Sequence, residues 1–238
     1  MTAMTIAQMR TQVRSIVDID ATDISDTVMD NILGQGYDLI VYSEKRWPFF
    51  EATTTFSTVA SQKDYTLATV GASVTQGLRE VAALRNDDHI IGFIGSDNAD
   101  SNYPLNVASS GSPWNWSYWN DTVRLYPTPD GVQTIHVRGL RDASAFGTGV
   151  SDSTEPDLPD PFHAILVTYA IGKAYLQQED PVMANQYQSQ FIADLDNVAR
   201  RYADVPAPQP MIANSRSSSR YLAGYGALRY ANTGGVIW

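Results

Sequence analysis

Apolar side chains recur every three or four residues at both ends of this chain and every two residues in its middle. Ile6, Met9, Val13, Ile16 and Val17 form the first such stripe, the mark of one buried helical face. A second helix is predicted after the capping cluster Thr22-Asp23-Ile24-Ser25-Asp26. Its expected apolar face is Val28, Ile32, Leu39 and Ile40, with Gly36 allowing a neighbour close. Trp47-Pro48 ends it, because a residue before proline is pushed out of the α region.

From about Glu51 to Arg141 the chain is rich in Thr, Val, Tyr and Trp, punctuated by Gly, Asn and Asp, which predicts strands. Candidates are Ala52–Phe56, Asp64–Leu67, Val81–Leu84, His89–Ile94 and Thr122–Tyr126. The last leads into the turn signal Thr128-Pro129-Asp130-Gly131. A hairpin is expected there, with Val132 to Leu140 returning. Ile135 and Val137 would face one way, His136 and Arg138 the other.

Residues 142–158 read as a loop. Asp160-Pro161 is a helix start, an N-cap followed by proline, and Phe162, Ile165, Leu166, Tyr169 and Lys173 mark one face up to about Gln178. Asp180-Pro181 repeats the signal, and Tyr187, Phe191, Leu195, Val198 and Tyr202 form a stripe beyond it. So short a connection predicts an antiparallel helix hairpin. Each amphipathic helix needs a partner for its stripe. The fold class is therefore α+β: a helical bundle from N- and C-terminal helices, with a β-rich insertion and an extended C-terminal arm. The expected divisions are 1–50, 51–145, 146–203 and 204–238.

The last segment differs from the rest. Pro206, Pro208 and Pro210 alternate, and Ser215 to Arg220 is low in complexity, so it cannot bury a core alone. Yet it carries Tyr221, Tyr225, Tyr230 and Trp238 beside Arg216, Arg220 and Arg229. Those seven residues are the expected partner-binding set of an arm that orders on another surface.

Charge sharpens this contrast. The 238 residues carry 16 basic and 26 acidic side chains, net -10. After Asp204 no acidic residue occurs, so an acidic body precedes a basic tail. Such acidity disfavours gripping nucleic acid, which needs clustered Lys and Arg. It leaves open a DNA conduit, where a repelling wall is useful. With no cysteine, disulfides, thiolate catalysis and cysteine zinc sites are excluded. The first twenty residues hold no continuous apolar core of a signal peptide. No apolar run is long enough to span a membrane.

Candidate chemistry is sparse. His89, His136 and His163 lie in no metal-binding pattern and are expected to be structural. No phosphate-binding glycine loop and no G-x-S-x-G occurs. Asp87-Asp88 and Asp157/Asp160 are carboxylate pairs of the kind any acidic chain offers. Asp18-Ile19-Asp20 with Asp23 resembles a calcium loop without its glycine or closing glutamate. No catalytic residue, metal site or cofactor is assigned. In the strand Trp114-Asn115-Trp116-Ser117-Tyr118-Trp119, Trp114, Trp116 and Tyr118 share a face. That face is either an aromatic platform for sugars or a buried sheet face or subunit interface, the second being preferred.

The order of these motifs resembles the head-to-tail adaptor (connector) proteins of tailed bacteriophages. Lys45-Arg46-Trp47-Pro48-Phe49-Phe50 is similar to their helix-to-strand junction, and Asp64-Tyr65-Thr66-Leu67 to the end of the strand that follows. Asp121 to Pro129 is similar to their hairpin. Leu158-Pro159-Asp160-Pro161-Phe162-His163 resembles the start of their next helix, and Tyr175 to Leu195 their last two. The likeness covers about residues 5–203, and the tail resembles the arms of short-tailed phage adaptors. It implies a ring, usually of twelve copies, bound between the portal and a tail or nozzle protein at the head-tail junction of the virion. It also implies assembly in the host cytoplasm, double-stranded DNA passing through without specific binding, no membrane, no cofactor and no reaction. The rivals are a carbohydrate- or receptor-binding tail module built on Trp114 and Trp116, and a small hydrolase using His163.

The arm generates the first prediction. Residues 205–238 are expected to be disordered in the free monomer and ordered in the assembly, where burial must outweigh ordering entropy. Deleting them should leave a folded, soluble monomer that no longer attaches stably to the portal. Equal attachment by the truncated chain in a pull-down contradicts the arm's role.

Overall fold

A computed structural model describes residues 3–43, 46–103 and 109–203. The expected arm residues Arg216, Arg220, Tyr221, Tyr225, Arg229, Tyr230 and Trp238 lie outside that range. Helices and a curled mixed sheet share the body, an α+β fold. The helices are α1 (Ile6–Val17), α2 (Asp26–Ser43), α3 (Leu67–Val70), α4 (Ser96–Asn102), α5 (Asp160–Gln177) and α6 (Pro181–Ala203). The strands are β1 (Glu51–Ser57), β2 (Asp64–Thr66), β3 (Leu78–Arg85), β4 (Ile90–Phe93), β5 (Asn115–Trp119), β6 (Thr122–Tyr126) and β7 (Thr134–Arg141).

Helix α1 starts with a capping box: Thr5 accepts from the Gln8 backbone while Gln8 accepts from the Thr5 N–H. It ends where Asp18 turns left-handed, φ 59°. Its buried face is Ile6, Met9, Arg10, Val13 and Val17, and Ile16 is exposed. In α2 the stripe is rotated from the expected one. Met29, Ile32, Leu33, Tyr37, Ile40 and Val41 are buried, whereas Val28 and Leu39 face out. Gly36 does admit a neighbour: a Cβ there would lie 2.7 Å from the Tyr169 ring. Gly34 likewise meets the loop at Phe146 and Gly147.

Helix α5 buries the expected Phe162, Ile165, Leu166 and Tyr169 and more besides. Phe162, His163, Ile165, Leu166, Val167, Tyr169, Ala170, Ile171, Gly172 and Ala174 are all buried, so it is covered on several sides rather than along one stripe. It contacts α1, α2 and α6, whose apolar residues join it in one core. A helix enclosed in this way loses the polar face that betrays amphipathicity. The cap of α5 is Pro159, with Asp160 already inside the first turn. Helix α6 is capped as the sequence implies, Asp180 accepting from the Val182 and Met183 N–H groups at 3.1 Å.

The sheet runs β1-β7-β3-β4-β5-β6-β2. All neighbours are antiparallel except β4 and β5. It curls around its own core, in which Tyr65, Val70, Leu84, Trp116, Leu125, Ile135 and Val137 are buried together. The expected hairpin of β6 with β7 does not form. β6 pairs with β5 and β2, and β7 with β1 and β3. The turn at 128–131 instead carries the chain between two parts of the sheet, its ends tied by Thr58 accepting from the Gln133 N–H and Ser61 donating to Pro129 O. Turn chemistry is local, whereas partner choice follows which strands close the core. Leu67, expected as strand, opens α3 instead.

Gly139 shows how tightly this pairing is set. β3 slips register twice against β7, and a Cβ at Gly139 would come within 2.2 Å of Glu80 O. Gly131 has open space around its Cβ position. Gly139→Ala should therefore cost about 1–3 kcal/mol, the usual range for overpacking, and Gly131→Ala under ~0.5 kcal/mol. Urea unfolding of the two variants checks this, and equal midpoints contradict it.

Candidate interaction surfaces and the junction

The chain leaves its helices for the sheet through Trp47-Pro48-Phe49-Phe50, a single 3-10 turn after α2 that runs directly into β1. Pro48 suits that first position, where no N–H donor is needed. Trp47 is 1% exposed and its Nε1–H donates to Ile40 O at 2.9 Å, binding the turn back to α2. Its ring stacks on Phe49 at 5.3 Å and meets Phe162 of α5 edge-on at 5.4 Å. Phe49 touches Phe50, Phe162 and Tyr202 of α6. Aromatic pairs of this kind add about 0.5–1.5 kcal/mol each beyond the area they bury.

The chain returns from the sheet at the same place. Glu51 of β1 pairs with Leu140 of β7, and the next residue, Arg141, grips Asp157 with both guanidinium amines. The guanidinium also stands 5.0 Å from the Phe50 ring centroid. The hydrogen bond from Arg141, helped by Ser144, holds the Asp157 carboxyl below the usual aspartate range against the opposing effect of burial. Asp157, one of the carboxylate pairs in the sequence, is thus a structural anchor.

A second charged group was not legible as such. Arg10 lies on the buried face of α1, where Ile6 and Val13 stand four before it and three after it. Its guanidinium reaches Asp26 at 2.9 Å, Asp30 at 3.3 Å and Asp152 of the loop. Arg14 adds a 2.6 Å pair to Asp26, and its hydrogen bond lowers the Asp26 carboxyl. Burial raises Asp30 instead. Arg10 Nε and Asp30 Oδ1 are close but misaligned, and neither makes a hydrogen bond. The signal in the sequence is an arginine in register with an apolar stripe, flanked by aspartates four apart on the next helix.

Each of the three histidines is hydrogen-bonded within the protein. His163 is 1% exposed. Its Nδ1 accepts from the Met4 N–H at 2.9 Å and its Nε2–H donates to Leu158 O at 3.0 Å. Both ring nitrogens are therefore occupied by backbone, leaving none for a substrate. His136 pairs with Asp87 on the outer face of β7. His89 bonds Pro113 O and lies 5.3 Å from the Trp114 ring. Asp20 accepts from Thr22 and from the Asp23 N–H, which makes that stretch a turn. Among the described residues no group of three acidic or histidine side chains could hold a metal. Among them too, no helix is long and apolar enough to cross a membrane.

The tryptophan strand divides. Trp116 is 2% exposed and Tyr118 is half-buried, both against the sheet core. Trp114 lies just before β5 and is 64% exposed. The three do not form one open platform, because the face shared by Trp116 and Tyr118 is the one the curled sheet closes over. Trp119, which the sequence did not single out, is 73% exposed at the end of β5.

A family model, SU10 adaptor protein, matches residues 4–212. The chain belongs to this family of phage head-to-tail adaptors. None of the curated proteins matches it. The family is a structural one, not an enzyme class. Its match begins before α1 and runs past α6, so it takes in the junction and both layers of this adaptor.

The Arg141–Asp157 pair yields a pH prediction. A folded aspartate pKa below its unfolded value of about 3.9 contributes stability that is present above that value and lost as pH falls through the lower, folded pKa. Asp157→Asn should cost roughly 1–3 kcal/mol at neutral pH, and the deficit should shrink as pH falls below about 3.9. Melting temperatures of both proteins between neutral and acid pH test this. A deficit independent of pH contradicts it.

Proposed function

We propose that this adaptor is a ring-forming structural protein that joins the portal to the tail and forms part of the DNA exit channel. The observation that carries the reading is the family match over residues 4–212. The junction supports it. A protein that transmits strain between head and tail needs its two layers fixed to each other, and the Trp47–Phe50 turn with Arg141–Asp157 does that. In this reading the N- and C-terminal helices act as one bundle, the sheet projects from it as an insertion, and the basic arm after Ala203 anchors the ring to an acidic neighbour, its tyrosines and Trp238 supplying contact area.

Ring closure requires a heterologous interface, with two different surfaces of one copy meeting. Exposed apolar side chains stand on both layers: Ile90 and Trp114 on the sheet, Leu176, Val182 and Ile192 on the last two helices. They are the residues proposed to meet across it, which keeps Trp114 as an interface residue and removes Trp116. The net charge of -10 supplies acidic side chains for a lumen that repels DNA phosphates instead of holding them.

Electron microscopy of the purified protein mixed with its portal tests the proposal. The expected image is a closed ring of about twelve copies, matching a portal of the same symmetry, with carboxylates facing the channel. Monomers that ignore the portal, or a channel lined by Arg and Lys, contradict it.

A further inference from the structure

One cleft stands apart, on the outer face of β5, β6 and β2. Strand register sets its floor in two rows. Trp119, Thr122 and Thr66 lie side by side in the first, Ser117, Arg124 and Asp64 in the second. These side chains point away from the core, since the alternate residues Trp116, Val123 and Tyr65 are buried in it. Ser96 and Asp97, from the start of α4, form a wall, and the half-open cleft holds about 470 Å³. The position of α4 is fixed: Tyr103 at its end stacks on Tyr126 at 4.8 Å and accepts a hydrogen bond from Asn115 at 2.8 Å.

We propose that this cleft is a saccharide-binding site, with Trp119 as the stacking surface and the Asp64–Arg124 pair as the hydrogen-bonding edge. Three observations carry it together. The first is the indole ring of Trp119, 73% exposed beside a concave polar surface. Its electron-rich face attracts the weakly positive C–H groups of a sugar ring, as aromatic faces attract other electropositive edges. The second is a planar, preorganised polar pair. Arg124 Nε lies 2.6 Å and Nη2 3.2 Å from the two oxygens of Asp64. The two side chains are 34% and 41% exposed, so the carboxylate keeps lone pairs that can accept from sugar hydroxyls. The third is the Thr122 hydroxyl, half-buried on the cleft floor beside Trp119, whose hydrogen goes to Asn120 O and whose lone pairs can accept from a sugar hydroxyl. A polypeptide would find no deep apolar pocket here for an anchoring side chain. A phosphate would meet Arg124 already neutralised and Asp97 beside it. The volume suits one or two sugar rings, within the range of small-ligand sites.

The assignment is independent of ring formation. It also differs from a site on Trp114 and Trp116, since Trp116 is closed off in the core. The test is a microarray of bacterial-surface oligosaccharides probed with the full-length protein, followed by saturation-transfer NMR of the bound glycan. Binding is expected, weakened about tenfold or more by Trp119→Ala, largely kept by Trp119→Phe and unchanged by Trp114→Ala. Trp119 is exposed, so its replacement should leave the melting temperature and portal assembly intact, and that control separates loss of the site from loss of the fold. The proposal is overturned if no glycan binds, if Trp119→Ala binds as well as the parent, or if Trp114→Ala is the variant that fails. It is equally overturned if a photo-crosslinker at position 119 labels a neighbouring copy throughout the assembled ring, since the cleft would then be a protein interface.

Discussion

The polypeptide crosses from helices to sheet and back at one point, and the packing there holds the two layers together. Trp47, Phe49 and Phe50 occupy the outward crossing, and Arg141 the return, one residue past the pairing of Glu51 with Leu140. Phe162 and Tyr202 bring the start of α5 and the end of α6 to the same cluster. Loss of that cluster would leave each layer its own core but no fixed angle between them. Arg141 and Asp157 add a charged clamp to an apolar contact. The combination matters because an aromatic cluster alone is not directional, whereas a two-pronged guanidinium–carboxylate contact fixes orientation.

The helices were legible in the sequence wherever they present one face to the core. α1 and α6 carry clear stripes, α6 also a clear start signal at Asp180-Pro181, and both lie where the pattern places them. α5 was placed correctly and the predicted Phe162, Ile165, Leu166 and Tyr169 are buried, but its burial on further sides was not legible, because a helix so covered has no polar face to bound the stripe. α2 was placed correctly and rotated wrongly, since Val28 and Leu39 are as apolar as the residues buried beside them. In the sheet the place of all seven strands was legible, and alternation was read in β5 and β7, but pairing was not. The turn at 128–131 has every local mark of a hairpin, and yet its strands find other partners. Pairing is decided by the whole curled sheet, through contacts distant in sequence.

The surfaces followed the same division. The aromatic strand was visible by composition, and its parity correctly grouped Trp116 with Tyr118. Parity could not say that this face points inward, or that Trp119 on the other face stands open. Arg10 carried a signal that composition hides: a charge in register with an apolar stripe is either misplaced or paired, and here it is paired three ways. Nothing among the described side chains resembles a reaction centre. The titratable groups that shift do so through burial or structural partners, and His163 is bonded to backbone on both sides. The chemistry of an adaptor lies in its surfaces and in the rigidity that presents them.

The central proposal, that this adaptor forms the connecting ring between head and tail, is tested most directly by a cryo-electron microscopy reconstruction of the phage neck. The account predicts density directly below the portal into which α1, α2, α5, α6 and the curled sheet fit as one rigid unit per copy, with the Trp47–Phe50 junction intact. Density in which this fold is absent from the neck, or in which helices and sheet must be moved apart at the junction to fit, would contradict it.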